Sequence, residues 1–233
     1  WVQHLWHRGS LEEQHGKLGI KDDDKSCFEV PHSVVAAAGK SLEGVDTDVV
    51  EALRAAAVDG TSFQVTAVAQ AAEMPTLELL RRLERAEEWG IVKDMPDDEV
   101  FAFRNVPLRE YLVASLRHSS EQKFRQRYYR LNRGLADAYA GFGEARFLPE
   151  AALHAREAGD NYAAKAVSLC LKAAQFCQSR GQWQKAAEHA VFAMERGSPQ
   201  QSAEAGLVYL RANWLMRRNP ADGEVSGHIA GLR

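Results

Sequence analysis

An apolar period close to that of an α-helix runs from residue 108 to residue 218 and breaks only at glycine-bearing turns. Within it Phe124, Tyr128, Leu131, Leu135, Ala138 and Phe142 recur at i, i+3 or i+4 spacing, which lines one side of a helix and suits no strand. Turn signals follow at 141–143, Gly159-Asp160, Arg180-Gly181 and Gly197-Ser198-Pro199. Helices of about 12–20 residues joined by such short turns bury their apolar faces by stacking as antiparallel hairpins.

The first half has a different rhythm. Residues 1–11 place Val2, Leu5 and Trp6 at helical spacing, and a short amphipathic helix is expected there. Residues 16–26 are polar and read as an exposed loop, and Pro31 opens a helical stretch to Leu42. Asp46 or Thr47 then caps a helix with Val50, Leu53, Ala57 and Val58 on its core face, ending at Gly60. A helix over 65–72 is broken by Met74-Pro75. Thr76 caps the next, whose core face carries Leu77, Leu80 and Leu83 and which Trp89-Gly90 ends with a left-handed glycine. Two β-prone runs, 91–93 and 100–103, flank a turn-rich acidic segment. Three helices followed by a two-stranded hairpin is the winged-helix order. Pro107 restarts a helix in its first turn, where a missing N–H is harmless.

The expected fold is therefore mainly α. Residues 1–46 form a helical remnant and linker, and 47–116 a winged-helix-like domain. Antiparallel hairpins fill 117–218, and 219–233 is a weakly ordered tail. The longest apolar runs are far too short to span a bilayer. A net charge of −3 gives no global field toward nucleic acid or membrane. Three cysteines, Cys27, Cys170 and Cys177, make no even disulfide framework, which fits a reducing, cytoplasmic setting. The start, Trp1-Val2-Gln3-His4-Leu5-Trp6, reads like the middle of a helix, so a preceding segment is expected.

Two ordered sets of residues carry resemblances. Ala173-Ala174, Gly181-Gln182-Trp183, Ala186-Ala187, Ala193 and Pro199 resemble a tetratricopeptide repeat. Its small residues let paired helices approach closely, and Trp183 fills the gap at their turn. Further upstream come Val30-Pro31-His32-Ser33-Val34, then the run from Leu53 to Phe63, then Leu80-Arg81-Arg82-Leu83-Glu84 and Trp89-Gly90-Ile91-Val92. Phe103-Arg104-Asn105-Val106-Pro107-Leu108-Arg109-Glu110 and Ala158-Gly159-Asp160 follow. In that order they resemble the region after the ATPase core in the STAND class of signal-transduction ATPases. The resemblance implies a helical lid, a winged helix and tetratricopeptide-like repeats. It also implies a parent protein that binds ATP or ADP with Mg²⁺ in a core absent from this segment.

Two departures bear on that implication. Gly39-Lys40-Ser41 looks like the end of a P-loop, yet Val34 stands where its first glycine is required, and no preceding strand or glycine-rich loop is present. The three residues read as a helix terminus. Asn105 stands where the family has a histidine that reports on nucleotide phosphates, and an amide carries no positive charge. No cofactor-binding, catalytic or metal residue is assigned within the segment.

Other chemistry reads plainly. His4 and His7 share a helix face, but only Cys27 is near enough to assist, short of a zinc site. Asp22, Asp23 and Asp24 lack the alternating ligands of a calcium loop. Cys170 and Cys177 read as small core hydrophobes. The expected recognition helix opposes Arg81, Arg82 and Arg85 with four glutamates. The expected wing opposes Lys93 with Asp94, Asp97, Asp98 and Glu99. DNA readers place positive charge at both elements. Binding to DNA is therefore not expected, and the domain reads as an intramolecular packing unit.

One basic stretch stands out at 117–133, with six cations against Glu121 alone. Since Phe124 and Tyr128 fall on the core stripe, its arginines should face outward and pair with a neighbouring acidic domain. Arg125, Arg127, Arg130 and Arg133, together with Trp183, are the candidate protein-interaction residues. The expected function is a regulatory and interaction segment, non-catalytic by itself. It would contact the ATPase core of its own polypeptide and take a protein or peptide partner along the repeats. Two other classes stand beside it: a DNA-binding regulator using residues 47–104, and an enzyme with a site spread over the helical half.

Overall fold

The computed structural model describes residues 11–14, 17–20, 38–39, 41–96 and 99–217, and it is mainly helical with a small antiparallel sheet. The expected first helix, the three aspartates, His4, His7, Cys27, Lys40, most of the stretch from Pro31 and the tail lie outside the described residues, as do Asp97 and Asp98 of the acidic turn. A hairpin precedes the helices: β1 (Leu11–Gln14) and β2 (Lys17–Ile20) pair antiparallel, with Leu11 opposite Ile20. Strand therefore replaces the expected loop at 17–20, and the rest of the 16–26 span lies outside the described residues. Leu18 and Ile20 alternate with Lys17 and Gly19, a two-residue period too short to stand out beside the aspartate run.

The first helical unit centres on α1 (Thr47–Asp59), in which Val49, Ala52, Leu53, Ala55, Ala56, Ala57 and Val58 are all buried. So many buried positions leave little of a polar face, because other helices pack around α1 on several sides. Asp46 holds the cap position without capping; its carboxylate instead pairs with Arg85. After α1 come β3 (Ser62–Gln64), α2 (Val65–Ala71), α3 (Thr76–Glu88), β4 (Val92–Asp94) and β5 (Val100–Phe103). The sheet has three strands in the order β3-β5-β4, not the expected two. A three-residue strand leaves no periodic signal, but it sets Phe63 opposite Phe101 and into the core, 1 % exposed.

In α3 the core stripe is Leu79, Leu83 and Ala86, while Leu77, expected inside, is 62 % exposed. Pro75, not Thr76, sits at its cap position, which starts the helix one residue earlier in phase. Gly90 ends it with a φ of +70°, the left-handed conformation that glycine reaches without strain.

The second half stacks α4 (Val106–Arg117), α5 (Gln122–Gly141), α6 (Leu148–Glu157), α7 (Ala163–Ser179), α8 (Trp183–Arg196) and α9 (Pro199–Arg217). From α5 onward each helix packs against the next in sequence, and the turns fall at the expected glycines. Ala173, Ala174, Ala186, Ala190, Ala193, Ala205 and Ala212 are fully buried, so backbones approach closely where side chains are smallest. Cys170 and Cys177 pack among them, and burial pushes the Cys170 thiol up to about 12. Trp183, expected deep between helices, begins α8 and is only half-buried, packed on the rim of the core.

The two halves share one core. In α5, Tyr128, Leu131, Leu135 and Ala138 are buried as their spacing predicts, with Phe124 and Phe142 half-covered at the ends. Gly134 lies against α2 so closely that an added Cβ would come 2.6 Å from Ala71 Cα. That crossing fixes where the helical stack begins relative to the sheet. No helix among the described residues is long and apolar enough to cross a membrane.

Candidate functional site

The side of α5 facing away from the core carries cations at successive turns. Lys123, Arg127, Arg130 and Arg133 are spaced by three or four residues and so share a face. They line an open cavity of about 640 Å³, whose remaining walls are Gln126, Tyr129 and, from the turn before α7, Asn161. No carboxylate of the described residues lines it. Arg127, Arg130 and Arg133 are thus brought together as one surface.

Each cation is held differently. Arg127 pairs with Glu51 of α1, which also holds Arg54. Burial and then the nearby Arg130 charge pull the Arg127 pKa below its ordinary value. Arg133 donates from Nε to the carbonyl of Ala158 at 3.2 Å, tying α5 to the turn after α6. Lys123 lies 2.7 Å from Glu121 and 5.0 Å from the Phe124 ring centre. Arg130 is exposed and makes no hydrogen bond or ion pair to another of the described residues. Arg125 turns away from this cavity and donates to the Ser119 carbonyl at 2.7 Å, closing the turn before α5. Trp183 is not part of it either.

Within the chain, Glu51 of α1 reaches this face. It engages one arginine and leaves the others to the cavity. Beneath the ridge the same helix turns polar side chains inward, which its apolar period concealed. Tyr128 donates to Glu157 at 3.0 Å, and burial followed by that carboxylate pushes its phenol up to about 12. Asn132, Tyr139, His154 and Asp59 form a second buried set. A histidine in α6 and an aspartate ending α1 give no sequence signal of being partners, because only the tertiary fold joins them.

The other singled-out residues have local structural roles. Asn105 caps α4, its Oδ1 accepting from the Leu108 N–H at 3.4 Å. Arg104 and Arg109 each donate from Nε to a backbone carbonyl, of Val92 at 3.0 Å and Ala57 at 2.9 Å. Gly39 lies against Tyr111, whose ring carbon would be 2.8 Å from an added Cβ, so close packing accounts for that glycine. Arg82 and Arg85 of α3 reach back to Asp46 and Asp48 at the start of α1. Among the described residues no group of three or more His, Cys, Asp and Glu is arranged to hold a metal ion.

Comparison of the chain with protein-family models, with curated proteins and with solved structures finds no match.

Proposed function

We propose that this chain is a regulatory and protein-interaction segment of a STAND-type ATPase or an ATPase-coupled signalling regulator, without catalysis of its own. Residues 47–116 are its winged-helix-like unit. The order helix, strand, helix, helix, strand, strand, with β5 between β3 and β4, supports this reading. Residues 117–218 are its tetratricopeptide-like stack. ATP or ADP with Mg²⁺ belongs in this reading to a separate nucleotide domain of a cytoplasmic parent protein.

The observation that carries the interaction function is the composition of α9. Ala205, Val208 and Ala212 are buried on α8, while Leu207, at 71 % exposed, and Leu210, at 49 %, stand outside it. A helix that is apolar on two sides is ordinarily covered on both. Since α7, α8 and α9 already stack in turn, the outer face suits a further helix laid on the same stack. The DNA-binding alternative is disfavoured by the ion pairs that tie Arg82 and Arg85 to Asp46 and Asp48 at the start of α1, which leave Arg81 as the arginine of α3 with no ion pair among the described residues.

A photo-crosslinking residue at Leu207 in the full-length protein tests this, with Glu188 on the exposed side of α8 as control. The expected result is a discrete adduct to a helical segment from position 207 and none from 188. Absence of an adduct at 207, or sequence-specific duplex binding at physiological salt that is lost on Arg81→Ala, would favour the alternative.

A further inference from the structure

We infer that the α5 cavity is a docking site for an acidic helical peptide, recognised through carboxylates at i, i+4 and i+7. The inference rests on the interaction function proposed above and names the chemistry of a partner, at a different surface from α9.

The ridge has the length and spacing for such a partner. Lys123 and Arg133 lie ten residue steps apart, roughly 15 Å of helix at about 1.5 Å per residue, with neighbouring cations roughly 4.5–6 Å apart along the axis. Glutamates at i, i+4 and i+7 of a second helix repeat with the same intervals. The chain already demonstrates this recognition at one edge. Glu51, on α1, reaches the ridge from a neighbouring helix and is taken by Arg127. A docking helix set against Lys123, Arg127 and Arg130 would share the Arg127 guanidinium with Glu51 and extend that pattern to Arg130 and to the free edge of Arg133, whose planar forks suit carboxylates.

Two of the ridge cations face a carboxylate within the chain, Lys123 at Glu121 and Arg127 at Glu51, while Arg130 and Arg133 face none among the described residues. Arg54, Arg82, Arg85, Arg117, Arg146, Lys165 and Arg196 all face a carboxylate within the chain. In a chain of net charge −3, a cavity lined by four cations and, among the described residues, by no carboxylate is a local excess of positive charge. Repulsion between Arg127 and Arg130 is relieved when an anion enters. Its lining is short of flat aromatic surface, with Tyr129 as its one aromatic residue, whereas single-stranded nucleic acid needs a succession of stacking platforms.

Fluorescence anisotropy tests this with a labelled alanine-based peptide carrying glutamates at i, i+4 and i+7. A peptide of equal composition with the glutamates off one face, and a single-stranded RNA of matched charge, serve as comparisons. At about 0.15 M salt the patterned peptide should bind best. The double variant Lys123→Glu with Arg130→Glu should weaken it by about tenfold or more, since like charges then meet across the contact. Arg130 makes no bond to the described residues and the Lys123–Glu121 pair is exposed, so circular dichroism should show an unchanged fold. The inference is overturned if the patterned peptide does not bind, if the double variant binds it equally well, or if RNA binds more tightly. None of those outcomes touches the Leu207 crosslink, so failure here leaves the proposed function standing.

Discussion

Asp59, the last residue of α1, sets its Oδ1 3.1 Å from Nε2 of His154 in α6, ninety-five positions further along the chain. Its Oδ2 accepts from the Tyr139 hydroxyl at 2.8 Å and from the Gln64 N–H at 3.1 Å. The other ring nitrogen of His154 lies 3.0 Å from Asn132 Oδ1, and the Asn132 amide nitrogen donates to the Tyr128 carbonyl at 3.0 Å. Tyr139 stacks on the imidazole, with 4° between the ring planes. One carboxylate therefore ties α1 and the β3–α2 junction to α5 and α6. Burial and that carboxylate push the Tyr139 phenol well above its ordinary value.

Removing Asp59 should be severe. Asp59→Ala strands an imidazole, a hydroxyl and a backbone N–H in a site where the aspartate side chain is only 2 % exposed. Breaking a buried pair from one side ordinarily costs about 3–5 kcal/mol. Urea unfolding followed by circular dichroism should show a loss of that order. In a double-mutant cycle with His154→Ala the two losses should be far from additive. Additive effects, or a loss under about 0.5 kcal/mol as at ordinary surface sites, would show that the pair does not join the two halves.

Gly134→Ala should destabilise, against helix propensity. In an exposed helix interior, alanine for glycine is worth about 1 kcal/mol in favour of the helix. Here the new Cβ would stand 2.6 Å from Ala71 Cα and 2.9 Å from its Cβ, so α5 and α2 must separate. Overpacking of this kind costs about 1–3 kcal/mol. A rise in melting temperature would show that the helices part without penalty.

The alternation of helices and turns from residue 108 onward was legible because an apolar helical period recurs there and α5, α6, α7 and α8 each end within two residues of a glycine. Leu131, Leu135 and Ala138 announce their burial by spacing alone. Leu77 and Leu79 show where spacing misleads. The heptad-like run Leu77, Leu80, Leu83 competes with Leu79, Leu83, Ala86, and only the packing of α3 on α1 decides between them. Arg127, Arg130 and Arg133 could be grouped from their intervals, but the sequence could not show that Glu51 would occupy the first of them. The Asp59–His154 contact was invisible for the same reason. Its partners come from helices that meet only once Gly134 admits α2.

At the α7–α8 turn, Ala186→Leu should cost more than its position on an alanine-rich helix suggests. Ala186 is fully buried, so the larger side chain must force the hairpin open, at about 1–3 kcal/mol. Trp183→Ala should also destabilise, but by less than the roughly 3–5 kcal/mol of a fully buried tryptophan, because its ring is half open to water. Thermal unfolding of both variants measures the difference. An Ala186→Leu protein as stable as wild type would place that residue at the surface and shift the register of the hairpin.

His189 gives the fold a predictable response to acid. It lies in α8, 4 % exposed, with Nδ1 buried and without a hydrogen-bond partner among the described residues. Burial, followed by the nearby Arg156 charge, pulls its pKa from 6.5 down to about 4. Above the unfolded value the ring is neutral in both states, and its titration has no effect on stability. As the pH falls from 6.5 toward 4, the unfolded chain takes up a proton that the folded chain refuses, so stability declines. The decline levels off below the folded value, where the native ring also protonates. Because each pH unit in that window is worth at most about 1.4 kcal/mol, the total loss should be about 1–3 kcal/mol. His189→Leu removes this contribution while keeping an apolar side chain among its neighbours. Denaturant unfolding of both proteins at about pH 7 and about pH 5 isolates it, since the other titrating groups cancel in the difference. Stability of the wild type relative to His189→Leu should fall between the two conditions. A difference that stays constant, or that grows in favour of the wild type at the lower pH, would mean that the imidazole is solvated or paired in the folded chain.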